Sequence, residues 1–187
     1  MADEPDLVDV LVADHDELRT LVAGLAAPDA DNQDRLTVTI AELSRHLVVE
    51  EDYLYPAVRE VVPDGVPLAN EALAASAETE RLAQHIERTS RTDTDHAGLV
   101  RSLSEAVHRH IEMTERALFP PLRQHCPPAQ LRFLAGQAMM AKRTAPTRPH
   151  PHDPRTPPLN QIVTPGIGLV DRVRDALTGR PTKPDQL

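Results

Sequence analysis

The sequence predicts an all-α protein whose body is an antiparallel up-down four-helix bundle of two helix-pair repeats. A fifth helix and a Pro-rich tail with a short helix follow it. Three observations carry this. Displaced by 64 residues, the chain matches itself without a gap: the run from His46 through Glu50, Glu51, Tyr55 and Pro56 falls on the run from His110 through Thr114, Glu115, Phe119 and Pro120, and Asp14-His15 falls on Glu78-Thr79. Apolar residues recur at three- and four-residue steps in four stretches, the period of an amphipathic helix. Apolar residues make up 40% of the chain but aromatics only 2%, so the core is aliphatic, which suits helices.

The first helix is expected from Asp6 to Ala26, with Val8, Leu11, His15, Leu18, Val22 and Leu25 in its stripe; Pro28-Asp-Ala-Asp-Asn breaks it. The second runs from about Asn32 to Val62, with Leu36, Ile40, Leu43, His46, Glu50, Leu54 and Ala57 facing inward, and Pro63-Asp-Gly65 ends it. The third, from about Pro67 to Thr89, aligns Ala72, Ala75, Thr79, Leu82 and Ile86; the fourth, from about Asp95 to His125, aligns Leu99, Leu103, Val107, His110, Thr114 and Leu118. Pro56 and Pro120 lie at matched places late in the second and fourth helices. Each removes a helical hydrogen bond, so a kink or break is expected at both. Short connections favour antiparallel neighbours. The expected organisation is therefore a bundle over 1–126, an added helix over 127–143, and a tail over 144–187 whose short amphipathic helix, 167–178, carries Val170, Val173 and Leu177 on one side. An isolated helix that short is marginal in water and needs a docking surface.

Charge is unevenly spread. Residues 1–140 hold 12 Lys/Arg against 25 Asp/Glu, while residues 141–187 hold 8 against 4. An acidic body argues against nucleic acid as a partner, and the basic tail can dock on that body or reach a protein partner. A single cysteine, Cys126, excludes a disulfide framework and a Cys-based zinc site. With no apolar leader and no stretch of about 18 apolar residues, a cytoplasmic protein without a membrane partner is expected.

His46 and Glu50 are four apart, about 40° from each other on one helix face, so an imidazole and a carboxylate can reach one ion. His15 and His46 both interrupt apolar stripes. Two histidines and a glutamate in a bundle interior make a borderline-hard nitrogen/oxygen site for iron, zinc or manganese. A single inward histidine is more often a satisfied core residue than a ligand. A His-x-x-x-Glu pattern and its matched remnant at a fixed offset are harder to obtain by accident.

On Asp14-His15-Asp-Glu-Leu18, His46-Leu-Val-Val-Glu50-Glu51 with Leu54-Tyr55-Pro56, and His110 with Leu118-Phe119-Pro120, the chain resembles the hemerythrin-like (HHE cation-binding) family over residues 7–126. The resemblance implies a four-helix bundle in which each repeat gives one histidine from its first helix and a His-x-x-x-Glu from its second. It also implies two irons that bind or process oxygen or another small diatomic, or that serve redox sensing or iron handling. By resemblance, His15, His46 and Glu50 hold one iron; His110 is expected to converge with them in the bundle core, giving one iron held by all four or an asymmetric pair. Thr79 and Thr114 stand where the second repeat of the family has histidine and glutamate, and neutral hydroxyls are poor ligands for iron. Glu115 matches the spacing of an aspartate used in the oxygen-carrying hemerythrins; at about 140° from His110 it needs a local bulge to reach the site. Glu80 and His85 are further candidates to replace Thr79. The expected cofactor is therefore iron, mononuclear or as an incomplete pair, in a binding protein rather than an enzyme. The alternative is a metal-free pseudo-hemerythrin serving as an interaction module.

Overall fold

The structure, a computed structural model, describes residues 4–26, 32–150 and 159–187, with side chains from 167 onward in the last stretch. Its described residues are helical, without strands. The elements are α1 (Leu7–Gly24), α2 (Asn32–Val49), α3 (Tyr55–Val61), α4 (Gly65–Arg88), α5 (His96–Met113), α6 (Phe119–His125), α7 (Pro128–Thr144) and α8 (Leu159–Thr178). The expected break at residues 28–32 falls largely outside the described residues.

α1 begins where its capping chemistry dictates. Asp6 accepts from the Asp9 amide at 2.9 Å and Asp9 accepts from the Asp6 amide at 2.9 Å, a reciprocal capping box that satisfies orphan donors of the first turn. Arg123 of α6 bonds Asp6, so the end of the second repeat is tied to the start of the first.

The second and fourth expected helices are each interrupted by one wide turn. Glu50–Leu54 and Thr114–Leu118 are π-helical, with Tyr55 N–H donating to Glu50 C=O and Phe119 N–H to Thr114 C=O. Both turns end just before Pro56 and Pro120. Proline has no amide donor, and its ring collides with the carbonyl four residues back; widening the preceding turn relieves both problems. The two repeats share this distortion at matched positions.

α1 packs against α2 and α5, α4 against α3 and α5, and α3 against α6, closing an antiparallel four-helix ring. The core is split into two apolar clusters. One gathers Leu7, Leu11, Leu54, Val58, Leu118 and Leu122; the other gathers Leu18, Val22, Ile40, Leu43, Leu103 and Val107. Along α1 the first cluster precedes His15 and the second follows it, and along α2 the order is reversed, as antiparallel helices require. The residues between, among them His15, His46, Glu50, Thr79, His110 and Thr114, are all buried. A polar layer is thus sealed between two aliphatic ones.

α7 covers α1 and α2. α8 begins eight residues before the expected start, and it docks the other way round from an ordinary amphipathic helix. Val170, Val173 and Leu177 are exposed, while Asp171 and Asp175 are buried. Asp171 accepts from the Thr147 and Arg148 amides, both at 3.2 Å, and Asp175 pairs with Arg148 at 2.6 Å. Arg148 and Arg180 also bridge to Glu87 of α4. Charge-assisted bonds fix this helix, and Gly168 lets it approach, since a Cβ there would lie 2.0 Å from the Thr144 carbonyl oxygen.

The α3–α4 turn is equally intolerant. Asp64 takes a left-handed conformation, φ 57°, and a Cβ on Gly65 would lie 2.0 Å from the Val58 carbonyl oxygen. Gly65→Ala must displace backbone, so it should destabilise the fold by about 1–3 kcal/mol or more, measured as a lower urea midpoint. Gly136→Ala, with open space around the new methyl, should cause no such loss.

Candidate metal centre

His15 from α1, His46 from α2, His110 from α5 and Glu50, the first residue of the π-turn after α2, converge in the polar layer. One donor atom from each lies within 4.8 Å of all the others. His46 Nε2 is 3.3 Å from Glu50 Oε1 and 3.3 Å from His110 Nε2; His110 Nε2 is 3.1 Å from Glu50 Oε2; His15 Nε2 is 3.8 Å from Glu50 Oε1. Donors about 2.1 Å from one ion lie within about 4.2 Å of each other, so the four atoms stand close to a coordination shell already.

The hydrogen bonding agrees with that fit. His15 Nε2 and Glu50 Oε1 are buried without hydrogen-bond partners, a costly arrangement that a cation would relieve. His15 Nδ1 lies 2.9 Å from Glu115 Oε1. A carboxylate only accepts, so Nδ1 carries the proton and the Nε2 lone pair faces the cluster. Burial, opposed by the nearby Glu50 charge, holds the His15 pKa below its ordinary value, which favours the neutral ring. Tyr55 donates to Glu50 Oε2 at 2.5 Å and meets Ser76 Oγ at 2.7 Å. Burial and the Glu50 charge raise the phenol pKa well above normal, so it stays a donor. One oxygen of Glu50 is thereby held while the other points at two imidazoles.

Glu115 lies on the Nδ1 side of His15, outside the four converging donors. Its second oxygen accepts from Arg19 at 2.7 Å. The bulge its position required is present, as the π-turn Thr114–Leu118. Thr79 donates back to the Ala75 carbonyl at 3.0 Å, the usual way a buried helical threonine is satisfied. The Thr114 hydroxyl is buried without a partner. Glu80 accepts from the His150 amide at 2.8 Å and His85 is exposed, so neither is brought to the cluster. His108 bonds the Ser104 carbonyl at the surface.

The profile of the hemerythrin HHE cation binding domain matches residues 6–122. The chain belongs to that family. The crystal structure of a hemerythrin HHE cation binding domain-containing protein from Mycobacterium kansasii aligns with a TM-score of 0.65 at 19% identity, covering 74% of this chain and 86% of that one. The likeness is one of fold. No curated protein matches the sequence.

Two supports of this HHE centre carried no local signal in the sequence. Asp14 Oδ2 stands 3.7 Å from His46 Nδ1, and Asp14 Oδ1 accepts from Lys142 at 2.7 Å. Lys142 comes from α7, outside the matched residues, and also faces Glu17 at 3.7 Å and Glu42 at 3.5 Å. Only the packing of α7 on α1 and α2 reveals it. Asp14 was visible as a neighbour of His15, but its partner is the histidine of another helix. Phe119 stacks on His15 at 5.6 Å; its repeat mate is Tyr55.

Burial lowers the pKa of His46, but the charges of Glu50 and Asp14 outweigh it and hold the ring at about 9. Burial raises that of Glu50, and the charges of His110 and His46 draw it well below normal. His46, raised above its ordinary 6.5, gives the metal-free protein stability that is fully present below that value and lost as pH rises through about 9. Glu50, depressed, contributes above 4.5 and loses its contribution as pH falls through its folded pKa. A metal ion displaces the His46 proton, so zinc affinity should rise roughly tenfold per pH unit below about 9, with about one proton released per ion in calorimetry run in two buffers. A pH-independent affinity between pH 6 and 8 would contradict this.

Lys142→Met leaves Asp14 and Glu42 buried beside each other without their cation. The expected loss is about 2–3 kcal/mol in urea unfolding. That is below the full figure for a broken buried pair, because the lysine keeps 24% of its side chain exposed.

Proposed function

We propose that the protein holds one metal ion, iron in the cell, through His15, His46, Glu50 and His110, and that the second metal position of its family is incomplete. The observation that carries this is the convergence of four buried donors, two of them without hydrogen-bond partners, against a second repeat that offers threonine at 79 and 114. With His110 on the first ion, a second would keep only a shared Glu50 oxygen, too little to compete with water.

Bound there, iron would supply Lewis acidity and a one-electron couple. The chain's own groups do the rest. Glu115 and Asp14 orient two of the imidazoles, Tyr55 holds Glu50, and the two apolar clusters exclude bulk water. Such a site suits oxygen or redox sensing, or iron handling, in the cytoplasm, better than turnover of a large substrate. Residues 1–126 form the binding unit in this reading, and 127–187 an addition that reaches the centre through Lys142. Among the described residues no helix is long and apolar enough to cross a membrane.

Protein purified from iron-supplemented medium should carry close to one iron per chain by metal analysis and lack the near-ultraviolet and visible bands of an oxo-bridged pair. Thr79→His with Thr114→Glu should raise the count towards two and bring those bands up. Two tightly held irons in the unaltered protein would overturn the reading. No iron at all, with His15→Ala no different from the unaltered chain, would favour a metal-free interaction module.

A further inference from the structure

Between α4 and α5 a cleft of about 350 Å³ reaches from the surface to Thr79 and His110. This volume lies at the lower end of small-molecule sites, about 300–1000 Å³. Ala75, Leu82 and Met113 wall it, and Glu71, Glu78 and Arg109 stand at its edge. The matched position of the first repeat is occupied. There His15 fills the space with its ring, stacked on Phe119 and bonded to Glu115. In the second repeat the ring is replaced by a threonine whose hydroxyl turns back on its own helix. His110, part of the cleft's lining, is 2% exposed, and its Nδ1 has no hydrogen-bond partner.

We infer that this cleft is a binding site for a small neutral or cationic nitrogen heterocycle of the imidazole class, which takes the place of the histidine missing at Thr79. The argument is one of shape, polarity and charge. Replacing an imidazole by threonine leaves room for a planar five-membered ring. Apolar walls suit its faces, and His110, whose Nδ1 has no hydrogen-bond partner, is the polar ring in the lining. The rim carries two carboxylates against one guanidinium, a bias that discourages anions. The metal half of this inference rests on the proposed metal site; the binding half does not.

The test uses imidazole as probe on the full chain. In the metal-free protein, titration with imidazole should shift the ring resonances of His110 saturably in nitrogen-edited NMR, and acetate should not. Ala75→Leu, which narrows the cleft from its half-exposed wall, and Thr79→His, which fills it, should each abolish the shift. Either variant suffices if the other does not fold. No saturable shift, or the same shift in a folded variant, overturns the inference. In a second arm, zinc affinity of the unaltered protein should tighten roughly tenfold with saturating imidazole, comparable to the smaller effects of changes around a metal. Thr79→His, its own ring in place, should gain nothing. Chelation of free zinc by imidazole acts equally on both proteins, so an equal response overturns the coordination role. If neither protein binds zinc, the proposed metal site fails while the NMR arm still decides the cleft.

Discussion

The constraint on which the structure depends is the placement of one carboxylate, Glu50, at 0% exposure in the middle of an aliphatic bundle. An ionised carboxylate there is unaffordable without partners. The surrounding groups are those partners: Tyr55 on one oxygen, His110 beside the same oxygen, His46 and His15 on the other. Each histidine then needs support on its far nitrogen. Glu115 supplies it for His15 and Asp14 faces that of His46, and these carboxylates are held in turn by Arg19 and Lys142. The network runs outward from Glu50 until it reaches the partly exposed basic side chains of Arg19 and Lys142. The Nδ1 atoms of His46 and His110 are both buried without a hydrogen-bond partner, and His110 borders Thr79 of the second repeat.

The π-turns belong to the same logic. A regular α-helix puts Glu115 about 140° from His110, facing away from the layer. The wide turn before Pro120 re-aims it, and Glu115 reaches His15 across the bundle. The turn before Pro56 begins with Glu50 itself. Proline thus acts one turn upstream of where it stands, through the carbonyl it cannot tolerate. This is why the sequence marks a disturbance at Pro56 and Pro120 while its effect falls on the ligands before them.

That offset separates what the sequence discloses from what it withholds. His15, His46, Glu50 and His110 were legible because each interrupts an apolar stripe at helical spacing, and a repeat displaced by 64 residues places them in register. The bundle was legible for the same reason, since four such stripes can only bury one another. Lys142 was not, because an inward lysine on a fifth helix has no periodic signature and its three carboxylate partners come from two other helices. The orientation of α8 was withheld more actively. Its stripe of Val170, Val173 and Leu177 predicts burial, yet Asp171 and Asp175, four apart on another face, find backbone amides and arginines and take the buried side. Periodicity counts apolar residues and is blind to a pair of carboxylates that meets its donors only after folding.

The two halves of the repeat have diverged in chemistry far more than in packing. Thr79 and Thr114 keep the buried positions, 4% and 0% exposed, and the helices around them keep their course. At 79 the hydroxyl is answered locally by its own helix, whereas an imidazole or carboxylate would need partners from elsewhere in the bundle. A threonine at 79 therefore asks little of its surroundings, while a buried imidazole demands a whole chain of supporting groups. Around His15 that chain is intact and runs to Arg19 at the surface. Thr79 calls for no such chain, and beside it a cleft opens onto His110. One side of the centre is closed by its own ligands and the other is left accessible, an asymmetry that an intact pair of repeats would not have.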